Sequence, residues 1–323
     1  VEEFIRNDLT GFKRLYLKDR EIKNLILMGD FLTETIFREE RQDNIITRAE
    51  FEKRYENTVY KTETSLSEEM DIDPEYAALI VPTMVICKDF MDLFNAEALW
   101  MPGVSLLDGI AYDFGEKKNF IKSAHNFEND ILVAARNIAK RYSTGKDHIK
   151  GTTDLALAIF DSMKKVHGMG DRERLLLQIA VQLHDCGKYI SMGDVAECSY
   201  QIIMATEIIG LSTEERQIIA NAVRYNTAEF VYYSEIAGEI GMDRSVYLLI
   251  AKLTAILRIA NAMDRSHYQK VKNMKAMLKD RTLLLTVDSE QDISLELGLL
   301  MDKVEFFEEV FGIRLVFRRK RKV

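Results

Sequence analysis

The chain of 323 residues has only five histidines, and the stretch "QLHDCGKYI", Gln182 to Ile190, sets one of them directly before an aspartate. Neutral imidazole and carboxylate oxygen together form a mixed nitrogen and oxygen donor set for a divalent cation. A cation held in this way lowers the pKa of bound water and offsets charge on a phosphoryl oxygen. Two further donors occupy comparable places: His148 opens the helical run "HIKGTTDLALAIFDSMKKV", and Asp264 closes "VYLLIAKLTAILRIANAMD". Since His184 and Asp185 end "RERLLLQIAVQLHD", three helix ends can converge on one ion, which makes His148, His184, Asp185 and Asp264 the candidate metal residues. Lys188, one turn further on, and Arg224 are candidate phosphate contacts, Lys188 as a point charge. The same residues also have a plainer reading. A His-Asp pair beside Gly187 can close a buried helix with its polar atoms satisfied by neighbouring backbone, while Lys188 and Arg224 serve in surface ion pairs. Both readings stand at this point, and no residue is assigned as catalytic.

A helical frame is needed to hold these donors, and residues 119–272 read as almost wholly helical. Within it Arg258, six residues before Asp264, is expected on the same side as an ion-pair partner. Residues 1–118 are mixed. They contain a strand at Asn24–Met28 turning at Gly29-Asp30, a capping box at Thr47 and Glu50, a helix entry at Pro74, and a short strand before the turn at Pro102-Gly103. In residues 273–323 the strands "RTLLLTVDS" and "IRLVFRR" bracket an amphipathic helix that stops at Gly312. The expected class is therefore mainly α, α+β overall, in three domains.

Composition narrows the function. With 47% hydrophobic and 30% charged residues and three prolines, the chain has ample material for packed cores. A formal net charge of -8 argues against non-specific nucleic-acid binding, and the basic tail Arg318 to Lys322 is expected to be solvated. Three cysteines, Cys87, Cys186 and Cys198, lack zinc-finger spacing and fit a reducing interior, so a cytoplasmic location is expected. No apolar run is expected to reach bilayer-spanning length, and no anchor or signal peptide is expected.

The stretch "LHDCGK" resembles the HD-x-G-K signature of the HD-domain metal phosphohydrolases, and "HIKGTTDLALAIFD", "SYQIIMATEIIGLSTEERQIIANAVRYN", "LRIANAMDRSH" and "FFEEVFG" around it resemble the carboxy-terminal half of the Ppx/GppA family. That family comprises exopolyphosphatases and guanosine-pentaphosphate phosphohydrolases. The segment from "ITRAEFEKRYENTV" to "LLDGIAYD" resembles the end of the family's actin-like catalytic region. The resemblance implies that 1–118 is the remnant of the second actin-like lobe, 119–272 an HD-like helical domain with His148, His184, Asp185 and Asp264 as its ligand pattern, and 273–323 a small α+β unit.

It also implies a polyphosphate or guanosine-nucleotide substrate and a homodimer, while the charge and the apolar pattern lead to the expectation of no specific nucleic-acid and no membrane partner. Two departures restrict the metal. The family's histidine-rich "HHKHS" stretch is here "DVAECS", Asp194–Ser199, and its "RYH" is Arg224-Tyr225-Asn226. One ion at most is expected, Mg or Mn. No Gly-rich phosphate loop stands in this sequence, and Asp30 would repel phosphate at the family's Gly-Gly-Thr-like turn. The main catalytic lobe is accordingly expected outside this chain. Two alternatives remain beside that reading: an independent HD-type metal phosphohydrolase, and a non-catalytic regulatory or dimerisation module.

Overall fold

The computed structural model describes residues 2–17, 20–29, 31, 44–122, 125–236, 243–271 and 273–319, and the chain divides into two compact units, 1–124 and 125–323. The fold is mainly α, α+β overall. Asp30 and the tail residues Lys320 to Lys322 lie outside the described residues.

In the first unit three short strands, β1 (Asn24–Ile26), β2 (Ile45–Thr47) and β3 (Ala98–Trp100), form a sheet in the order β1-β3-β2, with β1 parallel and β2 antiparallel to β3. Helices α1 (Glu2–Phe12), α2 (Arg48–Thr58), α3 (Glu63–Met70), α4 (Pro74–Phe94) and α5 (Leu106–Lys117) accompany it. The core joins Ile46 and Leu99 of the sheet to Phe51, Ile80, Met84 and Met91. Thr47 closes β2 and caps α2, with its side chain accepting from the Glu50 amide while the Glu50 carboxylate accepts from the Thr47 backbone and hydroxyl. Thr47→Ala is expected to destabilise this unit by about 1 kcal/mol, read as a lower urea midpoint.

The second unit is built around one helix. In α9 (Asp171–Leu183) nearly every residue from Leu175 onward is buried, so it must be surrounded. Helices α6 (Phe127–Arg141), α7 (Lys146–Ser162), α11 (Thr213–Thr227) and α13 (Arg244–Ala262) pack on it. The short α8 (Lys164–His167), a 3₁₀ turn (Cys186–Tyr189), α10 (Val195–Ala205) and α12 (Tyr233–Ile236) complete the helical part. By length and composition α13 could cross a bilayer, which corrects the expectation that no apolar run reaches that length; 67% of its most apolar window is buried within the unit. At the carboxy-terminal end β4 (Asn273–Lys279) runs antiparallel to β5 (Thr282–Asp288), and α14 (Ser294–Phe311) carries the chain back to β6 (Arg314–Arg319), parallel to β5. Leu283, Leu285 and Val287 of β5 point into the same core as the helices.

At the other end of α9, Arg172 forks onto Glu215 of α11 at 2.5 and 2.8 Å. The hydrogen bond from this guanidinium is the main reason that the Glu215 carboxyl lies below its ordinary value of 4.5. A depressed folded pKa contributes stability that is complete above the unfolded value and lost as pH falls through the folded one. Partial exposure and screening keep that contribution under about 1 kcal/mol. Glu215→Gln is expected to lower the urea midpoint at pH 7 and to remove part of the decline that the parent protein shows below about pH 4.5.

Candidate metal centre

Because α9 is buried on nearly all sides from Leu175 onward, His184 and Asp185, which follow its last residue, are delivered into the interior rather than to solvent. There they meet His148 from the first turn of α7, and the three offer one ligand atom each within 4.8 Å of one another. His148 and His184 approach Nε2 to Nε2 at 3.1 Å, with His184 Nε2 3.5 Å from Asp185 Oδ1 and His148 Nε2 3.9 Å from Asp185 Oδ2.

Hydrogen bonds on the far side of each ring orient the two imidazoles. His184 Nδ1 lies 2.6 Å from the Val181 carbonyl, which only accepts, so Nδ1 carries the proton. His148 Nδ1 lies 2.7 Å from Asp264 Oδ2. Burial raises the Asp264 carboxyl, but hydrogen bonds from His148 and from the side chain and backbone of Gln269 more than offset this and leave it below its ordinary value. It is an ionised acceptor, and His148 Nδ1 donates to it. Burial above all lowers the His184 pKa, which keeps that imidazole neutral. The His184 Nε2 lone pair therefore faces His148 Nε2 at 3.1 Å, a separation that suits either a shared proton or a cation bound by both nitrogens. Ligands about 2.1 Å from an ion and subtending about 90–109° are about 3.0–3.4 Å apart, the observed nitrogen separation.

The Asp185 carboxylate completes the donor set. Burial raises its pKa, while the adjoining His184 imidazole and the hydrogen bond and charge of Lys188 outweigh that and leave it below its ordinary value. Asp264 stands differently: it grips the outer nitrogen of His148 and accepts from the Gln269 amide at 2.8 Å. It fixes the ring and its tautomer from behind, as a carboxylate behind a metal-binding imidazole does. Asp264→Asn is expected to weaken Mn²⁺ binding about 10–100-fold in a metal titration.

Of the two candidate phosphate contacts, Lys188 is at the cluster, 2.6 Å from Asp185 Oδ2. Arg224, on α11, pairs with Glu197 at 3.0 Å and lies over the Tyr200 ring. Arg258 does not reach Asp264. Six residues are one and two-thirds helical turns, which puts the two on different faces; Arg258 donates instead to the carbonyls of Tyr225 and Ala228 at the end of α11 and stacks on Phe306. Sequence reasoning passed over His267, whose ring stacks on His148 at 3.7 Å with 6° between planes. It is placed by a turn in which His267 and Gln269 both have left-handed backbone, φ 60° and 46°, something no residue type there announces. Cys186 is no nucleophile: burial pushes its thiol up to about 11.

Residues 133–305, more than half of the chain and the whole of this cluster, match the family described as Ppx/GppA phosphatase, domain III. The chain belongs to the Ppx/GppA family. No curated protein matches it. Within the Ppx/GppA domain III region, the start of α7 and the end of α9 bring together His148, His184 and Asp185, a group able to hold a metal ion, with Asp264 from the end of α13 behind His148.

Proposed function

We propose that this chain serves a Ppx/GppA-type phosphohydrolase that removes the terminal phosphate of inorganic polyphosphate or guanosine pentaphosphate, and that its second unit is an HD-like domain holding one divalent ion. The observation carrying the metal reading is the convergence of two Nε2 atoms, 3.1 Å apart, with the Asp185 carboxylate in one buried cluster. Of Mg and Mn, two imidazole donors favour Mn. Phosphate loops and a water-activating carboxylate come, in this reading, from actin-like lobes outside these 323 residues. The protein works as a cytoplasmic homodimer, without membrane or nucleic-acid partners.

The reading is tested by phosphate release from each substrate, using the protein together with its upstream coding sequence; release from neither overturns it. A second reading, a self-sufficient metal phosphohydrolase, is favoured by the intact His148, His184 and Asp185 set. It requires Mn²⁺-dependent phosphate release by the 323-residue chain that Asp185→Ala abolishes.

A further inference from the structure

We propose that His267 is an oxyanion-contact residue which, with Lys188, forms the solvent-facing mouth of the metal cluster and binds a terminal phosphoryl group there. This rests on the metal reading above only for where the group sits. Of the side chains gathered at the site, those of His148, His184 and Asp264 are at most 3% exposed and that of Asp185 10%, whereas Lys188 is 30% and His267 38% exposed. An anion arriving from solvent meets these two first. Both face the same atom, Asp185 Oδ2, with Lys188 Nζ at 2.6 Å and His267 Nε2 at 3.9 Å.

The ring of His267 is parallel to that of His148, with centroids 3.7 Å apart, so its nitrogens lie in a plane offset from the one in which His148 Nε2 would hold an ion. They would reach a group bound to that ion rather than the ion itself. The placement is held at some cost. His267 and Gln269 occupy left-handed backbone without being glycine, which typically costs about 1–2 kcal/mol per residue. The turn is fastened by the His267 amide on the Asp264 carbonyl at 2.9 Å, by the Gln269 amide on Asp264 Oδ1, and by Gln269 Nε2 on the His267 carbonyl at 2.8 Å. It lies beside Gly151 of α7, where an added Cβ would be in ordinary contact with Gln269 Cγ at 3.4 Å.

The test is inorganic phosphate binding by calorimetry, with and without Mn²⁺, to the parent chain, His267→Ala and His267→Phe, alongside Mn²⁺ titrations. Phenylalanine keeps a ring on His148 but has no nitrogen. Both variants are expected to bind phosphate at least about tenfold more weakly, with Mn²⁺ affinity unchanged within about threefold. Phosphate binding that survives in His267→Phe makes the residue a packing group and overturns the proposal, as does a collapse of Mn²⁺ affinity, which makes it a ligand. If the parent takes up no Mn²⁺, the metal reading falls alone. His267-dependent phosphate binding by the metal-free protein then upholds this proposal, and its absence overturns it.

Discussion

Gly187→Ala is expected to destabilise the helical unit by about 3 kcal/mol or more, a fall in Tm of about 6–12 °C for a unit of this size. A Cβ at Gly187 would lie 2.4 Å from the Val195 carbonyl oxygen, 2.6 Å from the Ser199 amide nitrogen and 2.6 Å from Ser199 Oγ. Two of these three atoms are backbone of α10, so relief requires the helix itself to retreat. Retreat would break the bond from the Gly187 amide to the buried Ser199 hydroxyl, 2.9 Å, and leave that donor unpaired at a further cost of about 1–3 kcal/mol. Gly187 follows Asp185 by two residues, so the same shift displaces the cluster and should weaken Mn²⁺ binding as well. Gly298→Ala is the control. That glycine is exposed within α14, nothing lies within 4 Å of its added Cβ, and the substitution should stabilise by about 0.5–1 kcal/mol. Thermal unfolding of the three proteins checks the contrast; equal effects of the two substitutions would show that space beside Gly187 is not what constrains it.

The second large effect is at His184. Its Nε2 lies 3.1 Å from His148 Nε2 and 3.5 Å from Asp185 Oδ1. His184→Ala leaves one imidazole and one carboxylate, and Mn²⁺ affinity is expected to fall by at least about 100-fold, beyond what loss of an orienting group such as Asp264 produces. In the metal-free protein the substitution destabilises through the cavity left by a fully buried ring. Adding Mn²⁺ should raise the Tm of the parent protein and leave that of His184→Ala where it was, because only a state that binds the ion is stabilised by it. A parallel rise in both would place the ion elsewhere.

How far the sequence discloses this site depends on what holds each residue. His148 opens one apolar helical run while His184 with Asp185, and Asp264, close two others, and an apolar run that must be buried carries the polar residues at its ends inward with it. That logic finds the helices and the donors they deliver. It does not distinguish a ligand from the residue behind it, because which nitrogen of His148 faces Asp264 depends on ring orientation, a matter of packing rather than spacing. His267 was out of reach because a turn with two left-handed non-glycine residues places it. Gly187 was visible as a residue, but its reason, a close approach of α10, is tertiary. Strand β4 was missed because "NMKAMLK" is rich in residues that favour helices. Its alternation of half-buried Met274, Ala276 and Leu278 with exposed Asn273, Lys275 and Met277 is weak, and pairing with β5 decides the conformation. The capping box at Thr47 and the stop at Gly312 were legible because both are set by backbone chemistry within a few residues.

The central claim, one divalent ion on His148, His184 and Asp185, is tested most directly by Mn²⁺ titration followed by electron paramagnetic resonance with spin-echo detection of bound ¹⁴N. One tightly bound Mn²⁺ per chain, coupled to two imidazole nitrogens, is the expected result. No bound Mn²⁺ at millimolar concentration, or bound Mn²⁺ without nitrogen coupling, would contradict it.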